Sequence, residues 1–157
     1  MQVEVDIERL LAGLEADSQA LAGNARPAAQ AMAQVFYDQA RANVLRLNRV
    51  TGNLLAAIYQ VYDDESSVDE RGIAVYAVSW RTRGGGLPTA PHGHLVEYGY
   101  VQRYARYLKD GVWYTNTHKP LPSPRQVPAT PFMRPAIEAG RDTALAEGEA
   151  VLLKDLL

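Results

Sequence analysis

Between Pro27 and Asn48 the chain places Met32, Phe36, Ala40, Val44 and Leu47 three and four residues apart, in a stretch with alanine at 28, 29, 31, 33, 40 and 42. Residues at that spacing share one helix face. They predict a buried stripe on a helix of about 20 residues, a rod about 30 Å long. Alanine favours helix and is small enough to let a neighbour approach closely. Such a rod must bury its stripe against other elements, and that need constrains everything packed around it. Pro27 suits the first turn, where its missing N–H would have no partner anyway.

A first helix is expected upstream. Ile7, Leu10, Leu11, Leu14 and Leu21 follow helical spacing, Asp6 can cap the start, and Glu8 suits the first turn. Gly23 and Asn24 are expected to end it. Val3 and Val5 alternate with polar residues and read as a short strand or extended lead-in. Downstream, "TGNLLAAI" (51–58) offers Thr51 as a cap, Gly52 as a bend, and a short helix or the start of a strand. "RGIAVYAVSWRT" (71–82) is β-rich on both faces, with "YQVYDD" across the acidic turn 63–70 as its hairpin partner. "RGGGLPTAPHG" (83–93) is a flexible loop, and "HGHLVEYGY" (92–100) a short helix ending at Gly99. Lys109-Asp110-Gly111 signals a turn before the strand "VWYTN". The proline-rich piece 120–128 is extended, and a last helix runs from Pro131 to about Lys154.

These elements define an α+β fold. Two or three long helices pack on a small, mainly antiparallel sheet from residues near 59–62, 72–81 and 112–116, with the N-terminal stretch as a further candidate strand. A loop (83–91) and an extended arm (117–130) stay exposed, and connections of that length are commonly functional. The loop is expected to order only on assembly. The 157 residues suit a single domain, with 1–25 as an N-terminal strand and helix and 26–157 as the core.

Composition narrows the function. There is no cysteine, which excludes a disulfide scaffold, thiol chemistry and cysteine-ligated metal. The net charge of −2 argues against tight, nonspecific binding of nucleic acid through its phosphates. The N-terminus lacks a basic n-region and does not read as a signal peptide. No apolar run approaches the ~20 residues of a membrane span, so a soluble protein is expected.

His92, His94 and Glu97 are the one set that could ligate a divalent metal and support a metal-dependent hydrolase. Against it, residues two apart on a helix face opposite sides, and the spacing is not His-Glu-x-x-His. Ser79, Ser123 and Thr51 lack any nucleophile setting, and Arg81 and Arg83 with three glycines lack the Lys-Ser/Thr of a phosphate loop. Basic and aromatic residues interleave at Arg81, Arg83, Tyr98, Tyr100, Arg103, Tyr104, Arg106, Tyr107 and Lys109. That pattern, across 98–109, can bind single-stranded nucleic acid or form a protein interface. Acidic runs at 4–17 and 63–70 complement it, which favours head-to-tail self-association into a ring.

Three pieces, "TGNLLAAI" (51–58), "APHGHLVEYG" (90–99) and "VPATPFMRPAIEA" (127–139), in that order and spacing, resemble the minor tail-component family of tailed bacteriophages, the tail-completion or head–tail joining proteins. The resemblance spans roughly residues 26–150. It implies a structural virion protein, with no enzymatic activity and no cofactor or metal. It also implies a ring, expected to be a hexamer, at the head–tail junction around the DNA passage. Its partners would be other copies of itself, tail terminator or tube proteins, head–tail connector proteins and passing genomic DNA without tight binding, with no membrane. The protein would work in the virion neck after assembly in the host cytoplasm. The chain departs from the family pattern in loop 83–91 and in 100–126, where partner contacts would fall.

The third piece raises a separate question. Pro128, Pro131 and Pro135 stiffen the backbone just before the last helix, which lowers the ordering cost of binding. Phe132 is either part of a docking surface or a staple into the core. Arg134 near a helix start opposes the helix dipole unless a carboxylate answers it, and Glu97 is the candidate partner, within or between subunits. The candidate interface residues are Glu97, Tyr98, Arg103, Arg106, Phe132, Met133 and Arg134.

Overall fold

The alanine-rich stripe folds as a helix, but inside a much longer one. The computed structural model describes residues 7–47, 52–110 and 112–156. In it α1 runs without interruption from Ile7–Leu45, 39 residues. The expected break at Gly23, Asn24 and Pro27 does not occur. A proline inside a helix removes the bond to the carbonyl four residues back, here that of Gly23, at a cost of about 3 kcal/mol. Tertiary contacts on both sides of the proline offset that loss. Ala28 and Ala33 are buried. Asn24 donates from Nδ2 to the Leu152 carbonyl (3.4 Å) and to Asp155 Oδ2 (2.9 Å). The readings of Val3, Val5, Asp6 and Thr51 lie outside the described residues.

The partner is the last helix, α4 (Met133–Leu152). Its buried residues are Ala136, Gly140, Ala144 and Gly148, four apart, so they form one small-residue ridge. Side chains from α1 fill it. A Cβ on Gly140 would lie 3.3 Å from Phe36 Cδ1, and one on Gly148 only 2.6 Å from Met32 Cγ. The helices run antiparallel: Asn43 of α1 donates to the Phe132 carbonyl at the start of α4 (3.0 Å), while Asn24 meets its end.

The α+β class holds, with two separate sheets where one was expected. After α2 (Asn53–Ala57), β1 (Ile58–Tyr62) pairs antiparallel with β2 (Tyr76–Trp80), Ile58 opposite Trp80 and Tyr62 opposite Tyr76. Gly52 begins α2 at φ 79°, a backbone glycine adopts freely. α1 packs against both strands as well as α4. The short helix α3 (Gly93–Tyr98) follows the exposed loop. β3 (Tyr100–Lys109) and β4 (Val112–Val127) then form the second sheet, a long hairpin. The strand at 112–116 therefore pairs with a segment whose mixed pattern gave no strand signal. It also continues through much of the expected extended arm. Ten residues of β3 face sixteen of β4, and the register shifts around Tyr104, opposite Pro120. Pro120, Pro122 and Pro124 donate no ladder bonds, so a uniform pairing cannot pass through them.

The core joins these parts. Ala40 and Val44 of α1, Leu54, Ala57 and Ile58, Ala90, Phe132 and Ala136 are buried together, with Trp80, Val96 and Met133 packed on them.

Gly148→Leu should overpack the ridge and cost about 1–3 kcal/mol in urea unfolding. Met32→Ala in the same chain should recover part of that loss. Equal stability of wild type and Gly148→Leu would mean that α1 and α4 do not meet there.

Candidate interaction surface around Glu97

α3 is a single turn and a half, held from both ends by glycine. A Cβ on Gly93 would collide with the Trp80 indole, 2.7 Å from Cδ1. Gly99 ends the helix at φ 71°, and a Cβ there would lie 2.7 Å from Ala129 N and Val127 O. The Thr130 N–H donates to the Val96 carbonyl at 2.8 Å. These contacts seat α3 against the proline-rich segment and pin the base of the hairpin, which leaves at Tyr100 and returns at Val127.

Glu97 faces inward from this turn and is 1% exposed. No side chain of its own segment caps α4. Glu97 caps it from a distance: Oε2 accepts from the Phe132 N–H (2.7 Å) and the Met133 N–H (2.9 Å), and Oε1 from the Arg134 N–H (3.1 Å). The first amides of a helix have no internal partner and carry the positive end of its dipole, so a carboxylate suits them. Arg134 answers as anticipated, within one chain. Its Nε lies 3.3 Å from Oε1, and its Nη2 donates to the Glu97 carbonyl at 3.2 Å. Burial alone would push the Glu97 carboxyl up. The three backbone N–H groups and the Arg134 guanidinium outweigh it and hold the group below the usual glutamate range.

This geometry corrects the metal reading. Both carboxylate oxygens of Glu97 are spent on α4 and Arg134, and His92 and His94 are exposed beside it. Among the described residues no group of three or more His, Asp or Glu could hold a metal ion.

The seven candidate interface residues separate into two sets. Glu97 and Phe132 are buried. Phe132 packs edge-on against Trp80 at 5.4 Å, so it is a core staple. Met133 is half-buried, and Tyr98, Arg103, Arg106 and Arg134 are exposed. The Arg134 guanidinium lies 5.5 Å over the Tyr98 ring. Arg106 donates to the Tyr100 hydroxyl at 2.8 Å. Along the hairpin Val101, Tyr104, Tyr107, Leu108, Trp113 and Tyr114 are also exposed. Sequence reasoning missed Trp113 and Tyr114 as partners of this surface. Their signal was the strand after Lys109-Asp110-Gly111, which sets Trp113 opposite Leu108 and Tyr114 opposite Tyr107.

A family model described as "Bacteriophage HK97-gp10, putative tail-component" matches residues 8–99, more than half of the chain. The protein belongs to this family of phage tail components. Membership implies a structural, non-enzymatic role within the virion. No curated protein and no solved structure matches the chain. The family match ends at Gly99, so "VPATPFMRPAIEA" lies beyond it, yet Glu97 ties that segment to the matched part. No described helix is long and apolar enough to cross a membrane.

Because the Glu97 carboxyl sits lower in the folded state, its contribution is full above the ordinary glutamate pKa of about 4.3 and is lost as pH falls through the lowered value. Glu97→Ala should cost about 2–4 kcal/mol at pH 7, leaving helix-start amides unanswered. Glu97→Gln should cost less, and its deficit against wild type should shrink as pH falls below the ordinary glutamate pKa of about 4.3 and through the lowered value. Parallel stability curves for wild type and Glu97→Gln would remove the carboxylate from this role.

Proposed function

We propose that the protein is a tail-completion or neck component that assembles as a homo-oligomeric ring, a hexamer, at the head–tail junction around the DNA passage. Its neighbours are the tail terminator or tube on one side and the head–tail connector on the other. It is made in the host cytoplasm and works in the virion neck. The whole of 1–157 acts as one folding unit in this role.

The observation that carries this reading is the hairpin. A two-stranded ribbon is marginal in water by itself, and this one exposes Tyr104, Tyr107, Trp113 and Tyr114 beside Arg103 and Arg106. Aromatic side chains and arginine dominate the centres of protein interfaces. Tyr98, Arg103, Arg106, Met133 and Arg134 present the surface, and Glu97 and Phe132 hold it from beneath. A base fixed before any partner arrives lowers the cost of docking. The net charge of −2 suits a ring that lets DNA pass, because a strongly cationic lumen would retain it.

Nucleic-acid binding by the same Arg/Tyr stretch makes a different prediction. Native mass spectrometry of the purified chain should give a ring-sized, concentration-dependent oligomer, and Tyr107→Ala with Trp113→Ala should weaken it at least tenfold. DNA binding should stay weak and nearly flat with salt. A metal-free monomer that grips single-stranded DNA with a steep salt dependence would replace the ring with a nucleic-acid module.

A further inference from the structure

Among the described residues, nothing packs on the N-terminal part of α1, which forms an arm. Residues 11–19 are all exposed. Ile7, Leu11 and Leu14, at 63, 59 and 57% exposure, fall on one helix face. α4 cannot cover them, because its end is tied to Asn24. An exposed apolar stripe on a helix marks a surface for a partner, so this one calls for a cover. The arm is also acidic, with Glu8, Glu15 and Asp17 against Arg9.

At the other end of α1, Val44 and Leu47 line an open groove of 1520 Å³ with α3 and the hairpin. That exceeds the ~300–1,000 Å³ of ordinary small-molecule sites. Leu95, Val96, Trp113 and Leu121 make it apolar, Arg106 and Arg125 make it basic, and none of its described lining residues is acidic. Arm and groove are therefore complementary in both polarity and charge. They sit on one continuous helix, with Leu14 and Val44 about 45 Å apart at 1.5 Å per residue. The arm cannot reach its own groove.

We propose that the arm of one copy lies in the groove of the next, with Ile7, Leu11 and Leu14 on the apolar lining and its carboxylates towards Arg106 and Arg125. Such a contact is heterologous, so repeating it closes a ring or extends a filament. The inference rests on the ring reading above and adds which two surfaces meet.

A mixing experiment on the full chain tests it. The arm variant Leu11→Asp/Leu14→Asp and the groove variant Leu121→Asp/Arg125→Glu are followed by sedimentation, with circular dichroism to verify folding. Wild type should form oligomers larger than a dimer. Each variant alone should be monomeric. A one-to-one mixture should give heterodimers and nothing larger, because it retains one intact arm and one intact groove. If the groove variant does not fold, Glu15→Arg/Asp17→Arg and Arg106→Glu/Arg125→Glu test the contact by charge: each alone should be monomeric, and their mixture should regain alternating oligomers larger than a dimer, because both arm–groove pairs are then of opposite charge. Variants that oligomerise like wild type would overturn the arm-in-groove contact and leave the ring with another interface. A mixture of folded variants that stays monomeric would also overturn it. Wild type that stays monomeric at every concentration would overturn both this contact and a ring built from this chain alone.

Discussion

The arrangement depends on one buried carboxylate. Glu97 takes three backbone N–H groups at the start of α4 and the Arg134 guanidinium. A charge in that position is tolerable only because every lone-pair direction has a donor. In return, two segments 35 to 37 residues apart are locked together. The lock sets where α4 begins and how α3 sits, and so where the hairpin leaves the body.

The rest of the body is built for close approach. A ridge of alanine and glycine on α4 receives Met32 and Phe36 from α1. Glycine at 93 lets α3 lie on the Trp80 ring, and Phe132 meets the same ring edge-on. Many of the large apolar side chains left exposed lie on the N-terminal arm and along the hairpin. A lone folded chain gains nothing from that display, whereas a subunit of an assembly gains its contacts. Membership of a phage tail-component family fits this division between a tight body and extended, sticky projections.

Much of this was legible in the sequence where a periodic pattern met a clear stop signal. The stripe from Met32 to Leu47, the β1–β2 hairpin, the turn ended by Gly99 and the last helix all carried such signals. Two features were misread for physical reasons. Gly23, Asn24 and Pro27 are strong local breakers, but packing of Ala28 and Ala33 and the Asn24 contacts to α4 outweigh them, and no local pattern contains those contacts. "YVQRYARYLK" lacks clean alternation because the ladder is irregular around Tyr104, so β3 was hidden. The Glu97–Arg134 pair was legible because an arginine at a helix start demands a carboxylate. The two additional amides of Phe132 and Met133 on Glu97 were not, since backbone donors leave no mark in sequence.

Hydrogen exchange at the amides of Phe132, Met133 and Arg134 in the free chain tests the central claim most directly. If Glu97 holds this segment before any partner binds, these amides are protected like the α1–α4 core, and Glu97→Gln loses that protection while the middle of α4 keeps it. Exchange at loop-like rates in the free wild-type chain, with protection only after assembly, would contradict a surface organised in advance.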